Sequence, residues 1–375
     1  MKESLFQSSQ SASLSRCAYL ILLAHFSALA FGAPVEIPGA ELGKAAQPQL
    51  AVGPEGRIHV VFGEKKSGAI LFSSSEPGGK VLSMAVEIGR LPQLALGLGR
   101  GPKIATIGHN VVVTAISHED GMLHGWHSRD DGKTWKETSP LNGAPASAKE
   151  GLHSMAATEG IAAVVWLDCR SDGTEVRAAV SKNGGVTWEA DVLVYKSPAG
   201  TVCECCRPSI AVRRDGKIAV MWRNLLEGSR DMWISESGDV GESYGAGRKI
   251  GSGTWKLNGC PMDGGGVVFK MDGEIKTAWR RERSVFLGSS GDDERELDGN
   301  ALRPDLLVTG DSELCFYEKG GNLVVHGGPD KNPQILAEGV SFPSGAVLPD
   351  RQLVFAWEPL NGNDVRLMLE VFDKR

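Results

Sequence analysis

A run of thiols is the part of the 375-residue chain where residue type and spacing most directly suggest chemistry. Residues 203–206 read Cys-Glu-Cys-Cys, and a further cysteine, Cys260, stands shortly before Asp263. Thiols bonded in pairs staple loops, thiolates bind soft ions such as Cu(I) or Zn(II), and the adjacent Cys205 and Cys206 can form a redox-active disulfide. We expect disulfides and keep the other two chemistries open. A soft-metal site would use Cys203, Cys205, Cys206 and Cys260, with His153 and Met262 as further ligands.

Arginines and carboxylates form a second group of side chains with chemical potential. A guanidinium matches a carboxylate or phosphate bidentately, so several arginines around one point would bind an anion. The candidate ligand-binding residues are Arg170, Arg207, Arg223, Arg280, Arg303 and Asp263. The alternative is that these arginines pair with acidic neighbours such as Asp168, Glu282 or Asp305 and only tie loops together.

An eight-residue turn motif recurs along the chain and indicates how those side chains are positioned. It reads SRDDGKTW at residues 128–135, SKNGGVTW at 181–188 and SGDVGESY at 237–244, with a worn copy, SSEPGGKV, at 74–81. The copies start about fifty residues apart, which is the length of one four-stranded propeller blade. In each turn the Asp or Asn can accept hydrogen bonds from its own backbone, glycine supplies an unusual backbone angle, and the aromatic residue packs.

This motif is the Asp box, and the chain resembles the sialidase-like (BNR repeat) β-propellers that carry it. The resemblance implies an all-β fold of four-stranded blades, with the Asp boxes on the face opposite the active site and therefore structural. The residues that carry it are Ser128, Asp130, Gly132 and Trp135, then Ser181, Asn183, Gly185 and Trp188, then Asp239 and Gly241.

Short runs rich in Val and Ile recur with the same period and predict buried strands. Seven such runs suggest seven blades, whereas sialidases have six, so both numbers stay open. We expect a single propeller over residues 33–375. Residues 34–37 (PVEI) could complete the last blade and close the ring.

Blade topology predicts which residues share a face. The loop between the second and third strands points to the same face as the connection between blades, whereas the Asp box joins the third and fourth strands. Asp168, Cys169 and Arg170 follow a predicted second strand, and Arg207 and Arg303 enter predicted first strands. Residues 203–206 and 260–263 enter first strands as well. We therefore expect thiols and arginines to converge on one sector of one face.

The resemblance also implies a mechanism, in which three arginines clamp the substrate carboxylate, a Tyr activated by a Glu attacks, and an Asp is the acid/base. On this chain the candidate catalytic residues are Tyr317, Glu318 and Asp168, with Asp263 as a second candidate acid. The family's Arg-Ile-Pro motif of the first blade has no counterpart, because residues 46–50 read AQPQL. Two functions follow: an exo-sialidase-type glycoside hydrolase, or a non-catalytic glycan- or protein-binding propeller with a cysteine-rich disulfide or soft-metal site.

Net charge and the N-terminal segment indicate which partners and which cellular location to expect. The formal net charge of -6 does not favour nucleic acid or an anionic membrane, so a carbohydrate or other small anionic ligand is the expected partner. Residues 1–32 combine basic residues with a short apolar run and predict a signal peptide, hence a secreted or periplasmic protein without a membrane segment after cleavage. An uncleaved anchor is the alternative. No cofactor is expected beyond the soft metal, and the oligomeric state is open.

Overall fold

The computed structural model describes residues 34–40, 44–327, 332–360 and 367–372. The predicted signal peptide, residues 1–32, lies outside the described residues. All of the described residues belong to one compact unit. Within the described ranges the only helical element is one 3-10 turn, Pro54–Gly56. No helix in that part of the chain has the length and apolar character needed to cross a bilayer.

The strands form seven antiparallel sheets of four. The first blade contains β2 Ala45–Val52, β3 Ile58–Glu64, β4 Ala69–Ser74 and β5 Val86–Arg90. The second contains β6 Lys103–Ile107, β7 Asn110–Ile116, β8 Leu123–Ser128 and β9 Lys136–Glu137. The third contains β10 His153–Thr158, β11 Ile161–Ser171, β12 Gly173–Ser181 and β13 Val192–Tyr195. The fourth contains β14 Ser209–Val212, β15 Ile218–Arg223, β16 Met232–Ser237 and β17 Arg248–Lys249.

The remaining three blades complete the ring. The fifth contains β18 Gly265–Phe269, β19 Ile275–Arg281, β20 Ser284–Gly288 and β21 Glu294–Gly299. The sixth contains β22 Ala301–Thr309, β23 Ser312–Lys319, β24 Asn322–Gly327 and β25 Gln334–Glu338. The seventh contains β26 Val340–Val347, β27 Leu353–Pro359 and β28 Met368–Phe372, with β1 Val35–Glu36 as its outer strand.

Ring closure follows from two observations. The first strand of each blade contacts the first strands on both sides, and β26 contacts β2. The N-terminal β1 pairs with the C-terminal β28, with Val35 opposite Leu369. The prediction of an all-β propeller closed by the N-terminal segment is therefore confirmed, and of the two blade numbers seven is correct.

The core lies between the blades, on both faces of each second strand. The strand β15 is buried along its whole length, because it lies between two neighbouring sheets as well as between β14 and β16. Its Trp222 packs in one apolar cluster with Val165 of the third blade. Another cluster joins Val60 of the first blade to Val354 of the seventh, so apolar burial also holds the two ends of the ring together.

Three turns between third and fourth strands share one hydrogen-bond pattern. In the first, the Ser128 hydroxyl donates to Asp130 over 2.7 Å and accepts from the Gly132 N–H over 2.8 Å. Ser181 with Asn183 and Gly185, and Ser237 with Asp239 and Gly241, repeat both bonds. The Trp135 indole N–H closes its turn on the Gly132 carbonyl, and Trp188 packs against the core at the same position of the next turn. These contacts fit the predicted structural role.

Candidate functional site at the centre of the ring

A cavity of about 300 Å³ lies between the first strands, and every blade contributes to its wall. The polar and charged lining includes Gln47, Lys103, Ser154, Arg207, Asp263, Arg303 and Asp305. Most of these residues stand at the beginning of a first strand. The register places Lys103 at one end of β6 and the turn at Ser128 at the opposite end of the same sheet. We call the turns that begin at Ser128, Ser181 and Ser237 the serine turns. The cavity mouth and the serine turns are therefore on opposite faces of the ring.

Three neighbouring first strands carry the same bulge at this mouth. Gln47, Arg303 and Phe342 have φ values of 56°, 51° and 50°, each precedes a proline, and each lies where the register with the second strand shifts. A left-handed conformation is strained for a side chain larger than glycine, so it persists only where its surroundings enforce it. The bulges turn these three side chains into the cavity wall.

A carboxylate from the preceding blade holds each bulge. Glu358 accepts the N–H of Gln47 over 2.8 Å, Glu318 accepts that of Phe342 over 2.8 Å, and Asp263 accepts that of Arg303 over 3.0 Å. Glu318 and Glu358 occupy equivalent positions near the ends of β23 and β27. The position of Glu318 thus supports a role in fixing the bulge of the next blade and Arg303 of its own blade, rather than the predicted activation of Tyr317.

Three basic side chains line the cavity, and acidic partners compensate their charges to different degrees. Arg303 forms an ion pair with Glu318 over 2.6 Å and stacks on the Phe342 ring at 4.1 Å. Arg207 spans the mouth to Asp305, two blades away, over 3.1 Å and also donates to the Ser154 hydroxyl. Lys103 is only 4% exposed and donates to the Gly99 carbonyl. Burial, and then the positive charge of Arg207, hold the pKa of Lys103 well below its usual range.

Three consecutive glycines make room for the Arg207–Asp305 pair. A Cβ at Gly264 would stand 2.3 Å from the Arg207 carbonyl oxygen, and one at Gly266 would stand 2.4 Å from Asp305 Oδ1. The run at 264–266 therefore lets backbone and charged side chains approach more closely than any other residue would allow.

Asp263 is the most buried acid of the mouth. Its Oδ2 lies 2.8 Å from Arg280 Nε, although the N–H does not point at the oxygen, and its Oδ1 has no hydrogen-bond partner among the described residues. Burial raises the pKa of Asp263, and the charges of Arg280 and Arg223 oppose that shift only in part. Such a carboxyl can carry a proton at a pH at which exposed carboxyls are ionised.

Two of the predicted arginines hold the Asp263 segment rather than line the cavity. Arg223 is buried and donates to the backbone carbonyls of Asp263 and Arg280. Arg280 donates to the Pro261 carbonyl, and both guanidinium groups lie 5.3 Å from the centre of the Trp255 ring. Of the predicted clamp, Arg207 and Arg303 thus face the cavity, whereas Arg223 and Arg280 act behind it.

Asp168 and Arg170 lie away from the cavity lining. Asp168 is fully buried and accepts hydrogen bonds from Ser147, Trp166 and Arg170, and Arg170 also pairs with Asp191. Although burial alone would raise it, these hydrogen bonds keep the pKa of Asp168 below its ordinary value. A carboxylate with a lowered pKa whose oxygens already accept several hydrogen bonds is poorly suited to proton donation, so this geometry does not support Asp168 as the acid. It fits instead the alternative interpretation, in which Asp168 ties loops together.

Tyr317 is also outside the mouth. Its side chain is fully buried in the core cluster of the fifth and sixth blades, and its hydroxyl donates to Asp298 over 3.0 Å. Burial, with the negative charge of Asp298, raises the pKa of Tyr317. No tyrosine is among the described residues that line the cavity. The placement of Tyr317 therefore argues against its predicted role as a nucleophile.

A cluster of three thiols adjoins the mouth. The Cys203 sulfur lies 3.7 Å from that of Cys205 and 3.5 Å from that of Cys206, and the last two are 4.0 Å apart. These separations are much longer than a disulfide bond, which is about 2.05 Å, so the expected disulfides are not formed. The exposed Cys260 interacts with Cys205. Hydrogen bonds from the other two thiols, assisted by nearby arginines, lower the pKa of Cys203.

The thiol cluster is continuous with the cavity wall. Cys206 directly precedes Arg207, and its sulfur is close enough to Asp263 to influence the charge of that carboxyl. Cys169 is outside the cluster and has Glu150 and Asp168 as its charged neighbours. The predicted convergence on one sector of the ring thus holds for residues 203–206 and 260–263, with Arg207 beside them.

Sequence reasoning missed several lining residues. Lys103 enters the first strand of the second blade just as Arg207 enters that of the fourth, so position alone could have found it. Gln47 and Phe342 had a weaker signal, a proline directly after them inside a strand run. Asp305 was expected only as a partner of an arginine, which it is, but it lines the cavity as well.

Comparison with known proteins supports the fold alone. No family model and no curated protein sequence matches the chain, so the Asp-box resemblance has no support from a family model. Virginiamycin B lyase from Staphylococcus aureus is similar in structure, with a TM-score of 0.54, 11% identity, and coverage of 91% of this chain and 99% of that one. An alpha-L-arabinofuranosidase from Fusarium graminearum has a TM-score of 0.51 and 14% identity over 91% of this chain and 97% of its own.

A sialidase is among the similar structures as well. The NanB sialidase from Streptococcus pneumoniae has a TM-score of 0.50 and 11% identity, and the match covers 92% of this chain and 70% of the sialidase. Identities this low establish a shared architecture and carry no residue roles. The chain is a seven-bladed β-propeller whose fold is similar to those of glycoside hydrolases of the sialidase and arabinofuranosidase kinds.

Proposed function

We propose that the mouth of the ring binds a small carbohydrate that carries a carboxylate, with Lys103, Arg207 and Arg303 as its anion-binding groups. The observation that carries the proposal is the incomplete charge compensation of Lys103. This side chain is buried beside a guanidinium and forms no ion pair with a described residue. Burying an uncompensated ammonium is costly, and an anion placed against it would relieve that cost.

The size and surfaces of the cavity support a single sugar-sized ligand. A volume of about 300 Å³ is at the lower end of the range of small-molecule sites. Phe342 offers an apolar ring, and Gln47 and Ser154 offer hydrogen-bonding groups beside the cations. Arg207 and Arg303 are held by Asp305 and Glu318 with about a quarter to a third of each arginine side chain exposed, so their remaining N–H groups are available to a ligand.

Titration calorimetry with matched acidic and neutral monosaccharides tests this proposal. We expect N-acetylneuraminic acid or a uronic acid to bind, and the corresponding neutral sugars to bind at least about tenfold more weakly, which is about 1.4 kcal/mol. Arg207→Met should weaken acid binding by roughly 100-fold, because it removes a charge-assisted bidentate contact. Arg214→Gln is the matched control, because Arg214 is an exposed arginine paired with Glu159. Equal affinity for acidic and neutral sugars would refute the proposal.

Hydrolysis of a glycosidic bond is a second candidate function, and Asp263 is the observation that favours it. A general acid needs a raised pKa and access to the leaving-group oxygen. Asp263 lines the cavity, burial raises its pKa, and its Oδ1 has no described partner. Fluorogenic sialosides and arabinofuranosides test this role. Asp263→Asn should lower kcat by roughly 100-fold or more with little change in KM, whereas absence of turnover by the unmodified chain would leave binding alone.

We also propose export from the cytoplasm, on the residue pattern of the N-terminal segment. Cell fractionation with N-terminal sequencing tests it. The expected result is a chain that begins after residue 30 or 32 and is found outside the cytoplasm. An uncleaved chain in the cytoplasmic fraction would contradict it.

A further inference from the structure

The three sulfurs of the thiol cluster have the spacing of ligands around one ion. An ion with M–S bonds of about 2.3 Å places neighbouring sulfurs about 3.8 Å apart in a tetrahedral site. The observed separations are 3.5, 3.7 and 4.0 Å. We propose that Cys203, Cys205 and Cys206 bind a thiophilic metal ion of the Zn(II) or Cu(I) class, with Cys260 as the fourth sulfur donor.

Local topology explains why three thiols from one short segment can share an ion. The Cys203 N–H donates to the Arg223 carbonyl over 3.0 Å, which anchors the start of the segment on β15. A tight turn then brings Cys205 and Cys206 back toward the first sulfur, and Cys206 is as buried as Cys203. The ligands are therefore brought together by the backbone before any ion binds, which reduces the entropic cost of coordination.

The surroundings compensate the charge that metal binding would create. Each thiol releases its proton to solvent as its sulfur bonds to the metal, so three or four thiolates around the ion leave a net negative site. Arg230 donates from Nη1 to the Cys203 sulfur over 3.0 Å and also lies near Cys205 and Cys260. A guanidinium that contacts a metal-bound sulfur stabilises the thiolate and orients it.

Cys260 completes the site from a second segment. It precedes β18, is exposed, and interacts with Cys205, so it lies beside the cluster. An ion shared by Cys206 and Cys260 would join the segment that carries Arg207 to the segment that carries Asp263. Its role would be to clamp two walls of the mouth, whether or not the mouth binds a sugar.

Metal stoichiometry of the full chain is the direct test. The protein is purified under reducing conditions, stripped with a chelator, and titrated separately with Zn(II) and with Cu(I), with bound metal counted by native mass spectrometry. We expect about one ion per chain for at least one of the two metals. Cys203→Ser and Cys206→Ser should each weaken binding at least about 100-fold, whereas Cys315→Ser, a buried thiol of β23 outside the cluster, should bind as the unmodified chain does.

Further measurements keep the test decisive if the buried variants fold poorly. Cys205→Ser changes a half-buried thiol and should lose the ion while the circular dichroism spectrum stays unchanged. X-ray absorption should find only sulfur ligands at about 2.3 Å, four for Zn(II) and at least three for Cu(I). Failure of both metals to bind, with all thiols titratable, would overturn the proposal, and so would a disulfide among these cysteines under non-reducing conditions. Full Zn(II) affinity in Cys260→Ser would remove Cys260 from the site.

Discussion

The serine turns and the mouth of the ring lie at opposite ends of the same sheets. They differ in how completely their charged groups are paired. In the turn at residues 128–135, Asp130 accepts from Ser128 and Thr134 within its own turn, and these bonds outweigh desolvation and lower its pKa to about 2. At the mouth, Lys103 forms no ion pair with a described residue, and Asp263 Oδ1 accepts no hydrogen bond from one.

This difference distinguishes polar groups that stabilise the fold from polar groups that can bind a ligand. A polar group whose partners all lie within eight residues is satisfied wherever that turn forms, so it stabilises the fold and has nothing to offer a ligand. A buried charge whose partners come from other blades, and are too few, costs stability in the free protein and gains it when a ligand supplies the missing contact.

The largest expected effect on stability is at a glycine of the first serine turn. Gly132 has φ = 85°, and a Cβ there would stand 2.3 Å from the Phe72 ring of the neighbouring blade. Gly132→Ala should lower the free energy of unfolding by about 4 kcal/mol, from backbone strain and overpacking, without changing ligand affinity at the mouth. Urea denaturation and calorimetry of the same variant measure both quantities. A large loss of affinity in a folded variant would show that the two faces are coupled.

A buried histidine near the serine turns is an exception to this separation. Both ring nitrogens of His59 lack partners among the described residues, and burial lowers its pKa to about 4, with Asp131 and Arg57 as its charged neighbours. Between pH 6.5 and 4 the unfolded chain therefore binds more protons than the folded one. Stability should fall by about 3 kcal/mol as the pH drops through this window, and then level off.

Denaturation midpoints across pH 7 to 4 measure this loss. His59→Gln should flatten the pH dependence, and His109→Gln is the control because His109 is exposed at the surface. An unchanged slope in His59→Gln would assign the dependence to other groups.

Removing one carboxylate from each face gives a direct contrast. Glu318→Ala removes the acceptor of the Phe342 N–H and the partner of Arg303, and should cost about 2 kcal/mol of stability and about tenfold in ligand affinity. Asp130→Ala should cost about 1 kcal/mol of stability and leave the affinity unchanged. Equal affinities in the two variants would contradict the assignment of Glu318 to the mouth.

The smallest expected effect is that of Tyr317→Phe. Loss of the hydrogen bond to Asp298 should cost about 1 kcal/mol of stability, and any glycosidase turnover should stay within about twofold of the unmodified chain. Loss of turnover by 100-fold or more in this variant would restore Tyr317 as the nucleophile.

The architecture could be predicted because its signals are local. The spacing of the turns gives the length of a blade, and the Val- and Ile-rich runs give the second strands. The number of blades could not be settled in the same way, since the fifth, sixth and seventh blades lack the turn motif and the pairing of Val35 with Leu369 is a contact between distant ends of the chain.

For the site, only the face of the ring could be predicted, and not all of the residues that form it. Topology places Arg207 and Arg303 at the mouth because they enter first strands, and the same rule applies to Lys103. The rule fails for Tyr317, because neighbouring residues of a strand point to opposite sides: Glu318 reaches Arg303 and Phe342 at the mouth, whereas Tyr317 packs in the core. A sequence also does not show which acidic side chains find hydrogen-bond partners. Asp168 accepts several hydrogen bonds, whereas Asp263 Oδ1 accepts none from a described residue.

The affinity of Lys103→Met for an acidic monosaccharide tests the central claim most directly. Methionine is unbranched, one atom shorter than lysine and uncharged, and Lys103 forms no described ion pair that the substitution would break. The account predicts that the variant is at least as stable as the unmodified chain and binds the acid roughly 100-fold more weakly, with neutral sugars unaffected. Unchanged affinity for the acid in a folded Lys103→Met chain would contradict it.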